Sequence, residues 1–158
     1  MKKKYSKLPL RKGVGIVLLN KENKVFVAKR IDNPKNFWQM PQGGVDVNEN
    51  NYEAALRELK EETSIESVEL IQEIDKKLTY ILPDNLIGII WKGRFKGQIQ
   101  KWFIMRFLGN ETEININTKK PEFLDWKWID VENLTKIAVD FKLGVYKSIK
   151  QELLKILN

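Results

Sequence analysis

The sequence predicts an α+β fold, a layered domain with a central mixed sheet and helices on both faces. Three observations carry this expectation. Strand-like segments outnumber helical ones, the main helical pattern sits mid-chain, and a second helical pattern closes the sequence. A length of 158 residues suits one domain, since domains most often run to about 100–150 residues. Residues 1–12 read as a basic N-terminal tail and 13–158 as a single domain.

The elements follow in order. Residues 13–20 (GVGIVLLN) form an apolar run expected as a buried strand. A polar turn, Lys21-Glu22-Asn23-Lys24, leads to its hairpin partner at Val25–Ala28. Residues 31–48 hold Pro34, Pro41 and the Gly43-Gly44 pair, which predicts loop with a short strand at Phe37–Met40. Residues 50–63 predict a helix. Strands are expected at 67–74, 77–82, 87–94 and 99–108, with Trp102–Phe107 the strongest. FLDWKWI at 123–129 alternates as a half-buried strand does. Residues 140–156 place Val145, Ile149, Leu153 and Ile156 at helical spacing.

Composition narrows the chemistry. Cysteine and histidine are both absent. Thiolate metal sites, disulfides, cysteine nucleophiles and imidazole bases are therefore excluded. Catalysis falls to carboxylates, Lys, Arg, Tyr, Ser or Thr, with a metal ion. The net charge is +7, and residues 1–12 carry six positive charges and no acid. Such a balance favours polyanionic partners, although a moderate charge also serves solubility alone. No apolar stretch is long enough to span a membrane. Arg11 and Lys12 break the apolar run that a signal peptide needs, so a cytoplasmic protein is expected.

The helix at 50–63 concentrates the acids. Asn50 is placed as N-cap, with Glu53 three residues later as in a capping box. On a helical wheel Tyr52, Leu56, Leu59 and Thr63 form the face that packs on the sheet. Glu58, Glu61 and Glu62, at i, i+3 and i+4, share another face. Alone, such a face reads as solvated. Here the chain is basic overall, yet residues 49–62 hold five acids against two bases, just after a Gly-Gly turn. A hard divalent cation relieves that repulsion, and magnesium is commonly held by carboxylates together with substrate phosphates.

The stretch GGVDVNENNYEAALRELKEETSI resembles the Nudix box, G-x5-E-x7-R-E-U-x-E-E-x-G-U, where U is a bulky aliphatic residue. Gly43, Glu49, Arg57-Glu58-Leu59, Glu61-Glu62 and Ile65 match; Ser64 replaces the last glycine. That glycine ends the helix, where a left-handed residue is usual. VGIVLLN, WQMPQGG, QKWFIMRF, PEFLDWKW and Phe141-Lys142 extend the similarity to roughly residues 9–155. These segments are similar to the bacterial RNA pyrophosphohydrolase subfamily, whose members were also described as dinucleoside polyphosphate hydrolases.

The resemblance implies a Nudix-type α/β/α sandwich and hydrolysis of a phosphoanhydride with Mg2+, Mn2+ being a substitute. By the box match Glu58, Glu61 and Glu62, together with Gly43, bind the metal, and one glutamate also orients the attacking water. Arg57 holds a glutamate in place, Glu49 supports the loop, and Gly43 and Gly44 let the backbone approach metal or phosphates. Glu122 matches a glutamate near the metals and is the candidate general base or extra ligand. Arg11 and Lys142 match phosphate contacts. Arg30, Val139 and Phe141 match a nucleobase pocket near an RNA 5′ end. None of the five tryptophans is expected to be catalytic.

The expected reaction is conversion of the 5′-triphosphate end of RNA to a 5′-monophosphate. The alternative within the family is hydrolysis of diadenosine tetra- or pentaphosphate. A remote alternative is a catalytically inactive RNA-binding Nudix module, but that usually entails loss of a metal glutamate and all three stand here. A basic RNA-binding domain unrelated to the family would leave the box to chance. The expected form is a monomer, with no membrane partner.

Overall fold

A computed structural model describes residues 2–32 and 35–157. The loop assignment at Pro34 therefore lies outside the described residues. Seven strands form one sheet: β1 (Leu10–Leu19), β2 (Val25–Arg30), β3 (Gln42–Gly44), β4 (Val68–Glu73), β5 (Leu78–Ile81), β6 (Gly97–Phe107) and β7 (Phe123–Ile129). The helices are α1 (Asn51–Thr63), α2 (Leu134–Ile137) and α3 (Leu143–Leu157).

The sheet order is β4-β6-β1-β2-β7, with β3 also on β1 and β5 also on β6. β1 and β6 run parallel in an unbroken register from Leu10↔Gly97 to Leu19↔Arg106. The other pairings are antiparallel, so the sheet is mixed. Alternation along the central strands fills two cores. Val14, Ile16, Leu18 and Phe26 pack with Ala54, Ala55 and Leu59 of α1. Val17, Leu19, Val25, Val27, Trp102 and Ile104 pack with Val145, Tyr146, Ile149 and Leu153 of α3. Helices thus cover both faces, and the fold is the expected α/β/α sandwich. Among the described residues no helix is long and apolar enough to cross a membrane.

Three local expectations are corrected. β1 opens at Leu10, ahead of the apolar run, because β6 offers it a partner from Gly97 onward. The short strand lies at Gln42–Gly44, not at Phe37–Met40, where only an isolated Gln39–Ala28 bridge forms. Gln42, Gly43 and Gly44 pair with Gly15, Val14 and Gly13, so the expected Gly-Gly turn is instead an extended strand held against β1. Residues 87–94 form no strand. Gly88 and Gly93 have positive φ, and Trp91 and Lys92 are left-handed, so the chain closes into a 3-10 turn at Ile90–Gly93.

The basic N-terminal segment is packed rather than free. Lys3–Tyr5 form a 3-10 turn, Tyr5 and Leu8 lie against the α3-side core, and Lys96 donates to the Ser6 carbonyl at 3.0 Å.

Candidate active site

α1 starts as its caps dictate. The Asn50 side chain accepts from the Glu53 backbone N–H at 2.8 Å, and Glu53 Oε1 accepts from Asn50 Nδ2 at 2.7 Å. It ends on Ser64, which takes the left-handed conformation in the glycine's place (φ 67°, ψ 6°). Ser64 Oγ donates to the Asn115 carbonyl at 2.8 Å, which offsets part of the conformational cost.

The three box glutamates do not share one environment. Glu62 lies at i+7 from Ala55 and i+3 from Leu59, so it joins the stripe that faces the sheet and is 2% exposed. Glu61 is largely exposed and Glu58 mostly covered. This corrects the single acidic face expected from the wheel. Among the described residues no three acidic side chains are gathered into a ready-made metal cage. Glu58 and Glu61 turn instead to Arg57, whose Nη1 donates to them at 3.0 and 3.1 Å.

Arg57 is the hub of the α1 side. It meets Glu49 through Nε–Oε2 at 2.7 Å and Nη2–Oε1 at 3.0 Å, and donates from Nη2 to the Gly44 carbonyl at 2.8 Å. Glu49 Oε1 also accepts from the Asp46 N–H at 2.9 Å. Strand β3, the loop after it and the helix are thereby locked together. A Cβ at Gly43 would overlap the Glu58 carboxylate, so only glycine permits this approach.

Burial shifts the carboxylates upward. Desolvation pushes Glu58 up to about 7, against the opposing pull of Arg57, with Glu61 and Glu122 adding repulsion. Glu62 stands well above the usual carboxylate range, first because it is buried and then because Glu122 and Glu58 repel its charge. Both of its oxygens lack a hydrogen-bond donor. A buried carboxyl left without a donor costs several kcal/mol in general. Two orphaned hard oxygens, with Glu58 and Glu122 close enough to repel them, fit a divalent cation as the missing counter-charge. Glu122 enters from the start of β7, where its carbonyl accepts from the Ile31 N–H at 2.9 Å.

Cations line the opposite side. Arg30 meets Asp32 through a fork at 2.7 and 2.8 Å and lies within the field of Glu62 and Glu122. Lys142 is buried, donates from Nζ to Gln39 Oε1 at 3.2 Å, and lies over the rings of Tyr80 and Phe141 at 5.4 and 5.8 Å. Desolvation, then Arg30, lowers it to about 7. Because Gln39 Oε1 faces Lys142, its Nε2 is left as a buried donor without an acceptor. Phe141 packs on Tyr80 at 5.7 Å between centroids, and the Val139 carbonyl accepts from the Lys142 N–H. Arg11 reaches Gly44, where a Cβ would overlap its guanidinium.

A polar ladder was not anticipated from sequence. Trp102 Nε1 donates to Gln100, Gln100 Nε2 donates to Gln42 and Gln98, and Tyr80 Oη donates to Gln98, all at 3.0 Å. Gln98 and Gln100 are fully buried, and Gln98 Nε2 approaches the Gly43 carbonyl at 3.4 Å. The signal was QIQKW: polar residues on the inward face of a central strand. On the far side, Tyr146 Oη of α3 accepts from the Met40 N–H at 2.8 Å, fixing the residue before Pro41.

The fold and this carboxylate-bearing helix define a Nudix hydrolase. The NUDIX domain model matches residues 9–149, and the chain belongs to the Nudix family, which generally uses divalent metal ions. It is 68% identical over 151 residues to the RNA pyrophosphohydrolase of Pelagibacter ubique, covering 96% of each chain. It is 48% identical over 146 residues to that of Rhodospirillum rubrum, covering 92% of this chain and 88% of the relative. Among solved structures it is similar in fold to the E. coli dihydroneopterin triphosphate pyrophosphohydrolase (TM-score 0.74, 22% identity, 94% of this chain and 99% of that one). A C. elegans Ap4A hydrolase binary complex is also similar in fold (TM-score 0.66, 24% identity, 92% and 99%).

Proposed function

We propose that this chain is an RNA 5′-pyrophosphohydrolase that converts a 5′-triphosphate end to a 5′-monophosphate. The identity of 68% to the Pelagibacter ubique enzyme, across 96% of both chains, carries the reading. Glu58, Glu61 and Glu62, with Gly43, are proposed to hold Mg2+, with Mn2+ as substitute; the all-oxygen donor set supports this choice. Once bound, the ion neutralises polyphosphate charge and favours ionisation of water.

The protein groups do the rest. Arg57 and Glu49 keep α1 and β3 in register. Arg11, Lys142 and the orphaned Gln39 Nε2 bind phosphate oxygens and stabilise developing negative charge. Glu122 is assigned as general base, since no imidazole exists to take the proton. Arg30, Val139 and Phe141 receive the base near the 5′ end, where stacking tolerates many sequences. The proposed form is a cytoplasmic monomer.

Dinucleoside polyphosphate hydrolysis would use the same carboxylates. The deciding experiment compares turnover of a short 5′-triphosphate RNA and diadenosine tetraphosphate with magnesium, at equal concentration. RNA is expected to win in kcat/KM by about tenfold or more. A preference for the dinucleotide overturns the RNA assignment and leaves the carboxylate roles standing.

A further inference from the structure

We propose that Trp91 is a positioning residue that holds the Arg11 guanidinium against Gly44 of β3, where it meets substrate phosphate. The inference rests on the proposed phosphate role of Arg11. The Arg11 guanidinium lies over the Trp91 ring at 5.2 Å from its centroid, and it also abuts Gly44. Among the described residues no carboxylate pairs with Arg11, so its charge is not spent on a protein anion. An aromatic face attracts the cation without consuming the N–H edge that a phosphate needs.

The loop that presents Trp91 is built against local preference. Residues 87–94 carry the apolar character of a strand, yet Trp91 (φ 54°, ψ 36°) and Lys92 (φ 57°, ψ 27°) are successive left-handed residues. Side chains disfavour that conformation, and it persists only where the surroundings fix it. They do so here. Leu82 and Lys96 close the base of the loop through a 2.9 Å bond, and Leu86 and Ile87 donate to the Pro83 carbonyl at 2.9 and 3.2 Å. A Cβ at Gly93 (φ 72°) would press on the Gly88 carbonyl at 3.0 Å. Phe95 meets the Trp91 ring edge-on at 6.1 Å. The loop is anchored on the α3-side core by buried Ile87 and by Leu86, Ile90 and Trp91, which pack against it, while Ile89 stays 73% exposed. That anchorage sets the indole beside Arg11. A guanidinium already oriented loses less freedom when phosphate binds.

The test is a double-mutant cycle on full-length protein with magnesium and a 5′-triphosphate RNA oligonucleotide, with thermal unfolding recorded for every variant. Trp91→Ala is expected to raise KM roughly 3- to 10-fold with kcat unchanged, and Trp91→Tyr to restore most of it. Arg11→Ala raises KM by itself, and Trp91→Ala adds nothing in that background. Lys92→Gly, which relieves the backbone without touching the ring, keeps the parent KM. Additive effects, or a Trp91→Ala variant with the parent KM, overturn the inference while Arg11 keeps its role. An Arg11→Ala variant with the parent KM removes the phosphate role of Arg11, and the inference falls with it.

Discussion

Arg57 and Glu49 face each other through two parallel bonds, Nε–Oε2 at 2.7 Å and Nη2–Oε1 at 3.0 Å. The same guanidinium holds the Gly44 carbonyl and reaches Glu58. A lysine supplies a point charge and no planar fork, so it cannot satisfy Glu49 and Gly44 together. Arg57→Lys is expected to lower turnover roughly 10- to 100-fold, as loss of a group that orients metal ligands does. Steady-state kinetics across magnesium concentrations checks this, with a higher magnesium requirement as the signature.

Glu62 is the carboxylate the fold can least accommodate without a counter-ion. Its folded pKa lies above the ordinary 4.5, as does that of Glu58 at about 7. Groups of this sign contribute full stability below pH 4.5 and lose it as the pH rises through the folded value. Metal-free protein is therefore expected to lose stability between about pH 4.5 and 7. Glu62→Gln should flatten that slope, abolish turnover and keep the fold. Denaturant titrations in chelator at several pH values read the slope. Millimolar magnesium should stabilise the parent protein and not the variant.

Lys142 has the opposite sign. Burial lowers it from 10.5 to about 7, so the stability it contributes is complete above pH 10.5 and falls as the pH drops to 7. Lys142→Met is expected to stabilise the protein at pH 6 while raising KM for the triphosphate. In the parent protein, KM should climb as pH passes 7, where a neutral amine no longer attracts phosphate. Urea unfolding and a pH series of KM test the two halves separately.

Ser64 separates two effects at one helix end. Ser64→Ala keeps the left-handed cost and loses the bond to the Asn115 carbonyl, so a destabilisation of about 1 kcal/mol is expected. Ser64→Gly loses the bond but relieves the backbone by about 1 kcal/mol, leaving stability near the parent value. Equilibrium unfolding should rank alanine below the other two, with turnover similar in all three.

The site was legible where it follows from spacing. Asn50 and Glu53 cap α1 as expected, and the interval from Gly43 to Ile65 located the loop and helix together. The wheel failed at Glu62 because the stripe through Ala55 and Leu59 reaches the sheet at that position, which a count of acids does not show. The loop at 87–94 failed because apolar residues there obey tertiary demands over strand propensity, with Gly88 and Gly93 as the only local warning. Lys142 was found as a charge, but its burial against Gln39 and Tyr80 depends on segments far away in sequence, Gln39 lying 103 residues back. The Gln98–Gln100 ladder likewise needs the facing strands before its polarity makes sense.

The bond between Met40 and Tyr146 spans 106 positions. Synthesis runs from the amino end, so β3 and α1 leave the ribosome long before α3 exists. A nascent chain halted ahead of Tyr146 leaves the Met40 amide without its partner and one face of the sheet without its cover. The residues proposed to bind polyphosphate, Lys142 included, are then all made, but the helix that covers that face of the sheet is not. A site ordered by the carboxyl-terminal helix is thus expected to become competent only once that helix has been made.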